Sequence, residues 1–294
     1  MSHHLRTARL ALAALAAAGA ATLGLSACQP ATPDTYVALG DSYAAGPLIP
    51  NQSTDPLGCL RSDKNYASLI KGSIKATKFR DVSCSGATTA DMFAAQDVSP
   101  GPANPPQLDA VDASTKIVTL GIGGNDIGFT DLVINCSTSL PGSGGCKPDY
   151  VHDGRDELSE AIAATAPKVD EVLKAIDRRA PEAEVFVVGY PTVLPDTGTG
   201  CYPLVPVLPT DVPYLRSKVR ELNSMLSARA AKAGATYVDL AKPSIGHDFC
   251  QGLAAKWVEG IVPTAPAAPV HPNAKGMAGA ATTVRKKVNS VVTS

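Results

Sequence analysis

Five short runs, largely apolar and rich in β-branched residues, recur along the chain at 36–39, 79–83, 116–121, 184–189 and 236–240. Gly, Pro or polar residues bound each of them. Runs of this kind suit strands buried on both faces. Between them, apolar residues fall at near-helical spacing. The clearest stretch is 156–179, with Leu158, Ile162, Val169, Val172, Leu173 and Ile176. A second is 214–232, with Leu215, Val219, Leu222 and Leu226. Asn273 is placed to cap a last helix over 274–292. Strands alternating with helices predict an α/β protein, a three-layer α/β/α domain around a parallel sheet of about five strands. Four long stretches rich in Gly and Pro, 47–62, 97–109, 136–153 and 191–213, read as loops. Three of them carry cysteines, and cross-linking gives a reason why they can be long and ordered.

The first 27 residues have another character. Arg6 and Arg9 give a positive start, and 10–27 carries no charge and is mostly Ala, Leu and Gly. This is the form of a secretory signal peptide. It ends in Leu25-Ser26-Ala27-Cys28, which resembles a lipobox, where bacterial lipoproteins are acylated on cysteine and cleaved just before it. The cysteine count agrees with export. Of seven cysteines, six remain without Cys28: Cys59, Cys84, Cys136, Cys146, Cys201 and Cys250. An even set with one left at the lipobox fits three disulfides and a lipid attachment point on Cys28. The expected organisation is a signal peptide over 1–27, a lipid-anchored linker over 28–34 and one folded domain over 35–294. The chain would be exported, held on the outer side of the cell membrane if acylated and secreted if not.

Charge adds little. The 294-residue chain is formally −1, and the mature part has 24 basic and 27 acidic residues. There is no basic run, heptad array or repeat, so neither a nucleic-acid partner nor a coiled coil is indicated. A monomer is expected.

Chemistry in an open parallel sheet belongs at the carboxyl ends of strands. Gly40-Asp41-Ser42-Tyr43 follows the first predicted strand. A turn opening a helix there would expose the Ser42 hydroxyl and aim backbone N–H groups at an oxyanion, while Asp41 tunes the turn. Cys84-Ser85-Gly86-Ala87 follows the second strand, and Gly86 lets a substrate approach the backbone. Gly121-Ile122-Gly123-Gly124-Asn125-Asp126 follows the third, and Asn125 can point an amide at the same spot. A dinucleotide loop starting at Gly121 is excluded, because its third glycine would fall on Asp126. Val270-His271-Pro272-Asn273 precedes the last helix and offers a general base. No closely spaced His, Cys and Asp cluster competes, so neither a metal nor a cofactor is expected.

Taken together, these four motifs resemble those of the GDSL, or SGNH, hydrolases, over nearly the whole mature chain. The resemblance implies a flavodoxin-like sandwich with strand order 2-1-3-4-5 and a carboxylic ester hydrolase. It implies Ser42 as nucleophile, His271 as base, and an oxyanion hole of the Ser42 N–H, the Gly86 N–H and the Asn125 amide. The cysteines resemble those of secreted esterases and lipases of high-GC Gram-positive bacteria, which implies Cys59–Cys84, Cys136–Cys146 and Cys201–Cys250. One departure stands out. Family members commonly carry Asp three residues before the histidine, and here that residue is Ala268. Some secreted relatives use a main-chain carbonyl instead, so the resemblance implies a dyad with the Ala268 carbonyl on His271 Nδ1. Asp239 or Asp248 folding back to His271 is the alternative. The ester substrate is of unknown type, a lipid or an acylated glycan among the choices. Leu204, Val205, Val207, Leu208 and Val212 either line an acyl pocket or pack on the core. Transfer of the acyl group to a cell-envelope acceptor and a non-catalytic ligand-binding lipoprotein are the rival functions.

Overall fold

The computed structural model describes residues 34–137, 142 and 144–292. The expectations for residues 1–27 and Cys28, and most of the linker to residue 34, lie outside the described residues. The central sheet has five parallel strands, β1 (Thr35–Gly40), β2 (Lys78–Asp81), β3 (Thr115–Gly121), β6 (Glu184–Val188) and β7 (Thr236–Val238). A two-residue ribbon, β4 (Val151–His152) with β5 (Arg155–Asp156), stands apart. The order across the sheet is β2-β1-β3-β6-β7, which is 2-1-3-4-5 counted over its own strands.

The helices are α1 (Ser42–Ala45), α2 (Tyr66–Ile70), α3 (Phe129–Asn135), α4 (Lys147–Tyr150), α5 (Glu157–Arg179), α6 (Val212–Lys232) and α7 (Ala274–Val292). Successive strand side chains point to opposite faces, which divides the core in two. Tyr36 and Ala38 of β1, Ile117 of β3 and Phe186 of β6 pack with Tyr66 and Ile70 of α2 and with Met277 and Val284 of α7. Val37, Leu39, Val118, Leu120 and Val187 pack with α5 and α6 through residues such as Val169, Val172, Leu215 and Leu222. β1 is buried along its whole length, as its uninterrupted apolar run requires.

Both long helices begin with recognisable chemistry. Asp156 caps α5 by accepting the Leu158 and Ser159 N–H groups at 3.1 and 3.2 Å. α6 starts at Val212, two residues before its apolar period suggests, because Pro213 lies in the first turn where its missing N–H is no loss. The expected loop 136–153 contains α4 and β4, which are too short for periodicity to reveal.

Three disulfides, Cys59–Cys84, Cys136–Cys146 and Cys201–Cys250, bind the long connections. They place the folded domain in an oxidising compartment. Among the described residues, no helix is long and apolar enough to cross a membrane. No cluster of His, Cys, Asp and Glu among them is arranged to hold a metal ion.

The end of β1 is the tightest point of the sheet. A Cβ on Gly40 would lie 2.6 Å from the Gly121 carbonyl oxygen and 2.7 Å from Ala44 Cβ, and Gly40 has φ of 154°. The buried Gln107 side chain closes both backbone groups of Gly40, accepting its N–H at 2.8 Å and donating to its carbonyl at 2.9 Å. Gly40→Ala is therefore expected to lower the unfolding free energy by about 1–3 kcal/mol. Urea denaturation monitored by circular dichroism measures this, and an unchanged midpoint would contradict the packing described.

Candidate active site

β1 stops where Asp41 donates its N–H to the Gly121 carbonyl at 2.9 Å. The Asp41 carboxylate then accepts the Tyr43 N–H at 2.9 Å and caps α1. Ser42 is the first residue of that short helix, so its N–H has no helical acceptor. Among the described residues neither the Ser42 N–H nor the Gly86 N–H has a hydrogen-bond partner. Gly86 follows β2 in a turn with φ of 80°, held by Ser85 N–H on the Cys59 carbonyl and Ala87 N–H on the Cys84 carbonyl.

His271 approaches from the other end of the chain. Its carbonyl accepts the Glu259 N–H at 2.9 Å, and the Asn273 N–H is held by the Trp257 carbonyl at 2.8 Å. The Asn273 side chain caps α7 through the Lys275 and Gly276 N–H groups, and its amide donates to buried Glu259 at 2.7 Å. Val270, just before the histidine, has φ of 66°. That is a strained conformation for a β-branched residue. It is held by Val270 N–H on the Gly260 carbonyl at 3.2 Å and by the Tyr43 hydroxyl, which donates to the Val270 carbonyl at 2.7 Å. The Tyr43 ring lies against the imidazole, with centroids 4.9 Å apart.

The result is a contact between residues 229 positions apart: Ser42 Oγ and His271 Nε2 are 2.7 Å from each other. On the opposite edge of the ring, Nδ1 faces the Pro269 carbonyl at 2.7 Å. This corrects the expectation for Ala268. The Ala268 carbonyl accepts the His271 backbone N–H at 3.2 Å, closing a turn, and the left-handed Val270 swings the imidazole towards Pro269 instead. Neither aspartate alternative reaches the ring. Asp239 caps the next turn through Ala241 and Lys242 N–H, and Asp248 accepts from Cys250 N–H and the Gln251 amide.

Ser42, Gly86, Asn125, Ala268 and His271 all line one open cleft of about 440 Å³. Asn125 donates one amide hydrogen to the Ala87 carbonyl at 2.8 Å. That bond orients the group and leaves its second hydrogen for the cleft. Asp126 does not cap the following helix. It accepts the Thr89 N–H and hydroxyl, tying the turn after β3 to the turn after β2. The apolar residues after Cys201 divide: Val205, Val207, Leu208 and Val212 are buried in the core, and Leu204 is exposed. None of them lines this cleft.

Burial lowers the pKa of His271, and the hydrogen bond to Pro269 works in the opposite direction. A neutral ring with its proton on Nδ1 presents an Nε2 lone pair to Ser42 Oγ. An activated hydroxyl beside unpaired N–H donors is what acyl transfer from an ester needs.

Sequence reasoning did not single out Pro269, Glu259 or Tyr190. Tyr190 alone carried a signal, a hydroxyl-bearing aromatic at the end of an apolar strand run.

A parallel sheet of this order with a serine–imidazole pair at its carboxyl edge is the arrangement of a hydrolase with a flavodoxin-like sheet. Residues 38–278 match the GDSL-like lipase/acylhydrolase family, and the chain belongs to that family, whose members are carboxylic ester hydrolases. It is 40% identical over 281 residues to Lipase 2 of Streptomyces coelicolor, covering 91% of this chain and 92% of that protein. It is 33% identical to a lipase of Streptomyces rimosus, covering 82% and 81%. The crystal structure of phospholipase A1 from Streptomyces albidoflavus superposes with a TM-score of 0.72 at 28% identity, over 88% of this chain and 99% of that one.

Since only the neutral imidazole can accept the serine proton, and burial lowers the pKa of His271, ester hydrolysis should keep its plateau below the ordinary histidine titration near about pH 6.5. The acid limb of kcat/KM reads this; because burial pushes Asp41 up to about 7, it is measured in the parent and in Asp41→Asn, and a limb centred above that pH in both would contradict the stated environment of His271.

Proposed function

We propose that this enzyme is a serine esterase or lipase working through an acyl-enzyme on Ser42. As Ser42 Oγ attacks the ester carbonyl, its proton passes to His271 Nε2. The carbonyl oxygen takes up negative charge and is met by the Ser42 and Gly86 N–H groups and the Asn125 amide. His271 then gives its proton to the leaving alkoxide, the ester C–O bond breaks and the alcohol departs. Water enters and adds to the acyl carbon as His271 removes its proton; the acyl C–Oγ bond then breaks, His271 returns the proton to Ser42 Oγ, and the acid leaves the restored serine. The Pro269 carbonyl keeps the Nδ1 proton in place throughout. It fixes the tautomer as a carboxylate would, with less stabilisation of the imidazolium. The observation that carries this reading is the 2.7 Å contact between Ser42 Oγ and His271 Nε2.

The relatives' names, lipases and a phospholipase A1, support acyl esters of lipid type as substrates. The Leu25-Ser26-Ala27-Cys28 sequence and the pairing of the other six cysteines support cleavage before Cys28 and attachment of a diacylglyceryl group to its thiol. The enzyme would then work as a tethered lipoprotein.

Ser42→Ala is expected to abolish hydrolysis of p-nitrophenyl esters. Asn125→Ala should lower kcat about 10²–10³-fold, while Asp239→Asn and Asp248→Asn should leave it within about threefold, since neither carboxylate meets the ring. Activity surviving in Ser42→Ala would end the nucleophile assignment. For the tether, metabolic labelling with palmitate should mark the parent protein and not Cys28→Ala. Equal labelling, or none in either, would remove the anchor.

A further inference from the structure

Tyr190 lies two residues beyond β6 and is 5% exposed. Its hydroxyl donates to Asp41 Oδ2 and accepts the Gly124 N–H at 2.7 Å. Its backbone is fixed on both sides by one side chain of α6. Tyr190 N–H donates to Asn223 Oδ1 at 2.8 Å, and Tyr190 carbonyl accepts from Asn223 Nδ2 at 2.9 Å. Its ring meets Tyr43 edge-on at 5.1 Å. Every polar atom of the residue is committed, so the hydroxyl has one position. Gly124 leaves room for it, because a Cβ there would come within 2.9 Å of the hydroxyl oxygen.

The two groups joined by this hydroxyl are telling. Asp41 immediately precedes Ser42, and Gly124 immediately precedes Asn125. We propose that Tyr190 is a positioning residue whose hydroxyl sets the spacing between the nucleophile turn and the Asn125 amide. The inference rests on the roles given above to Ser42 and Asn125.

Two further observations bear on it. Burial pushes the Asp41 carboxyl up to about 7, and the Tyr190 hydrogen bond counters that rise. Tyr190 therefore supports the charged acceptor that caps the nucleophile turn. Burial and the neighbouring Asp41 also push the Tyr190 phenol well above its ordinary value. It stays protonated, and its part is to hold two turns and not to move a proton. A phenylalanine here would keep the ring and its packing, but would orphan a buried carboxylate oxygen and a buried N–H.

The test is a double-mutant cycle on hydrolysis of a soluble p-nitrophenyl ester, with Tyr190→Phe, Asn125→Ala and the pair. Tyr190→Phe alone should lower kcat about tenfold or more with KM within about twofold, because the oxyanion donor matters in the transition state. In the Asn125→Ala background it should cost less than about twofold, because the group it positions is gone. Losses that multiply fully, a loss confined to KM, or no loss would each overturn the proposal. If Tyr190→Phe does not fold by circular dichroism, Asp41→Asn takes its place in the same cycle. That change retains an oxygen for the Tyr43 N–H but no longer offers Tyr190 a charged acceptor, and the same two results decide. Ser42→Ala, assayed in parallel, keeps the questions apart. If it stays active, the underlying mechanism fails. If it is inactive while the cycle shows no coupling, only the role of Tyr190 fails.

Discussion

The site depends on one hydrogen bond, between the Ser42 hydroxyl and His271 Nε2. In the proposed mechanism that bond serves only if the ring is neutral and its proton sits on Nδ1. Both conditions are supplied locally. Burial disfavours the imidazolium, and the Pro269 carbonyl offers Nδ1–H an acceptor that cannot take the proton. A carboxylate in that place would favour the charged ring more strongly in the resting state. A carbonyl leaves the base neutral over a wider range and gives up some stabilisation of the imidazolium when it forms.

The histidine is held by the rest of the molecule with unusual redundancy for a residue near the end of a chain. The strained Val270 is clamped by Tyr43 from α1 and by Gly260 from the neighbouring loop. Buried Glu259 ties Asn273, Thr264 and the His271 carbonyl together. Tyr190 and Asp126 do comparable work among the turns after β1, β2, β3 and β6. The strand ends are thus joined by side-chain hydrogen bonds as well as by the sheet. In a buried, low-dielectric setting such bonds are costly to leave unmade, which makes the arrangement rigid.

The fold was readable where it depends on period and punctuation. The apolar runs of β1, β3 and β6, and the 3.6-residue spacing of α5 and α6, announce themselves because burial on a face demands them, and α7 is announced by its Asn273 cap. Short elements such as α4 and the β4–β5 ribbon do not, since four residues cannot show a period. Among the site residues, Ser42, Gly86, Asn125 and His271 stood out because their surroundings are recognisable motifs. Pro269 was misassigned to Ala268 because a carbonyl carries no residue-type signal. The decisive variable was the left-handed backbone of Val270, a conformation its side chain argues against. Tyr190 acts through Asp41 and Gly124, partners far away in sequence, and Glu259 through Thr264 and Asn273 within one irregular loop, and no periodic pattern encodes such pairings.

The direction of β1 has a geometric consequence. The chain enters the sheet at Thr35 and reaches the cleft at Ser42, just past the six residues of β1, or about 20 Å of extended strand. Because all five strands run the same way, every loop that builds the cleft lies at the far rim from that entry. Insertions or substitutions in those loops can therefore reshape the cleft without disturbing the edge where the chain enters the sheet.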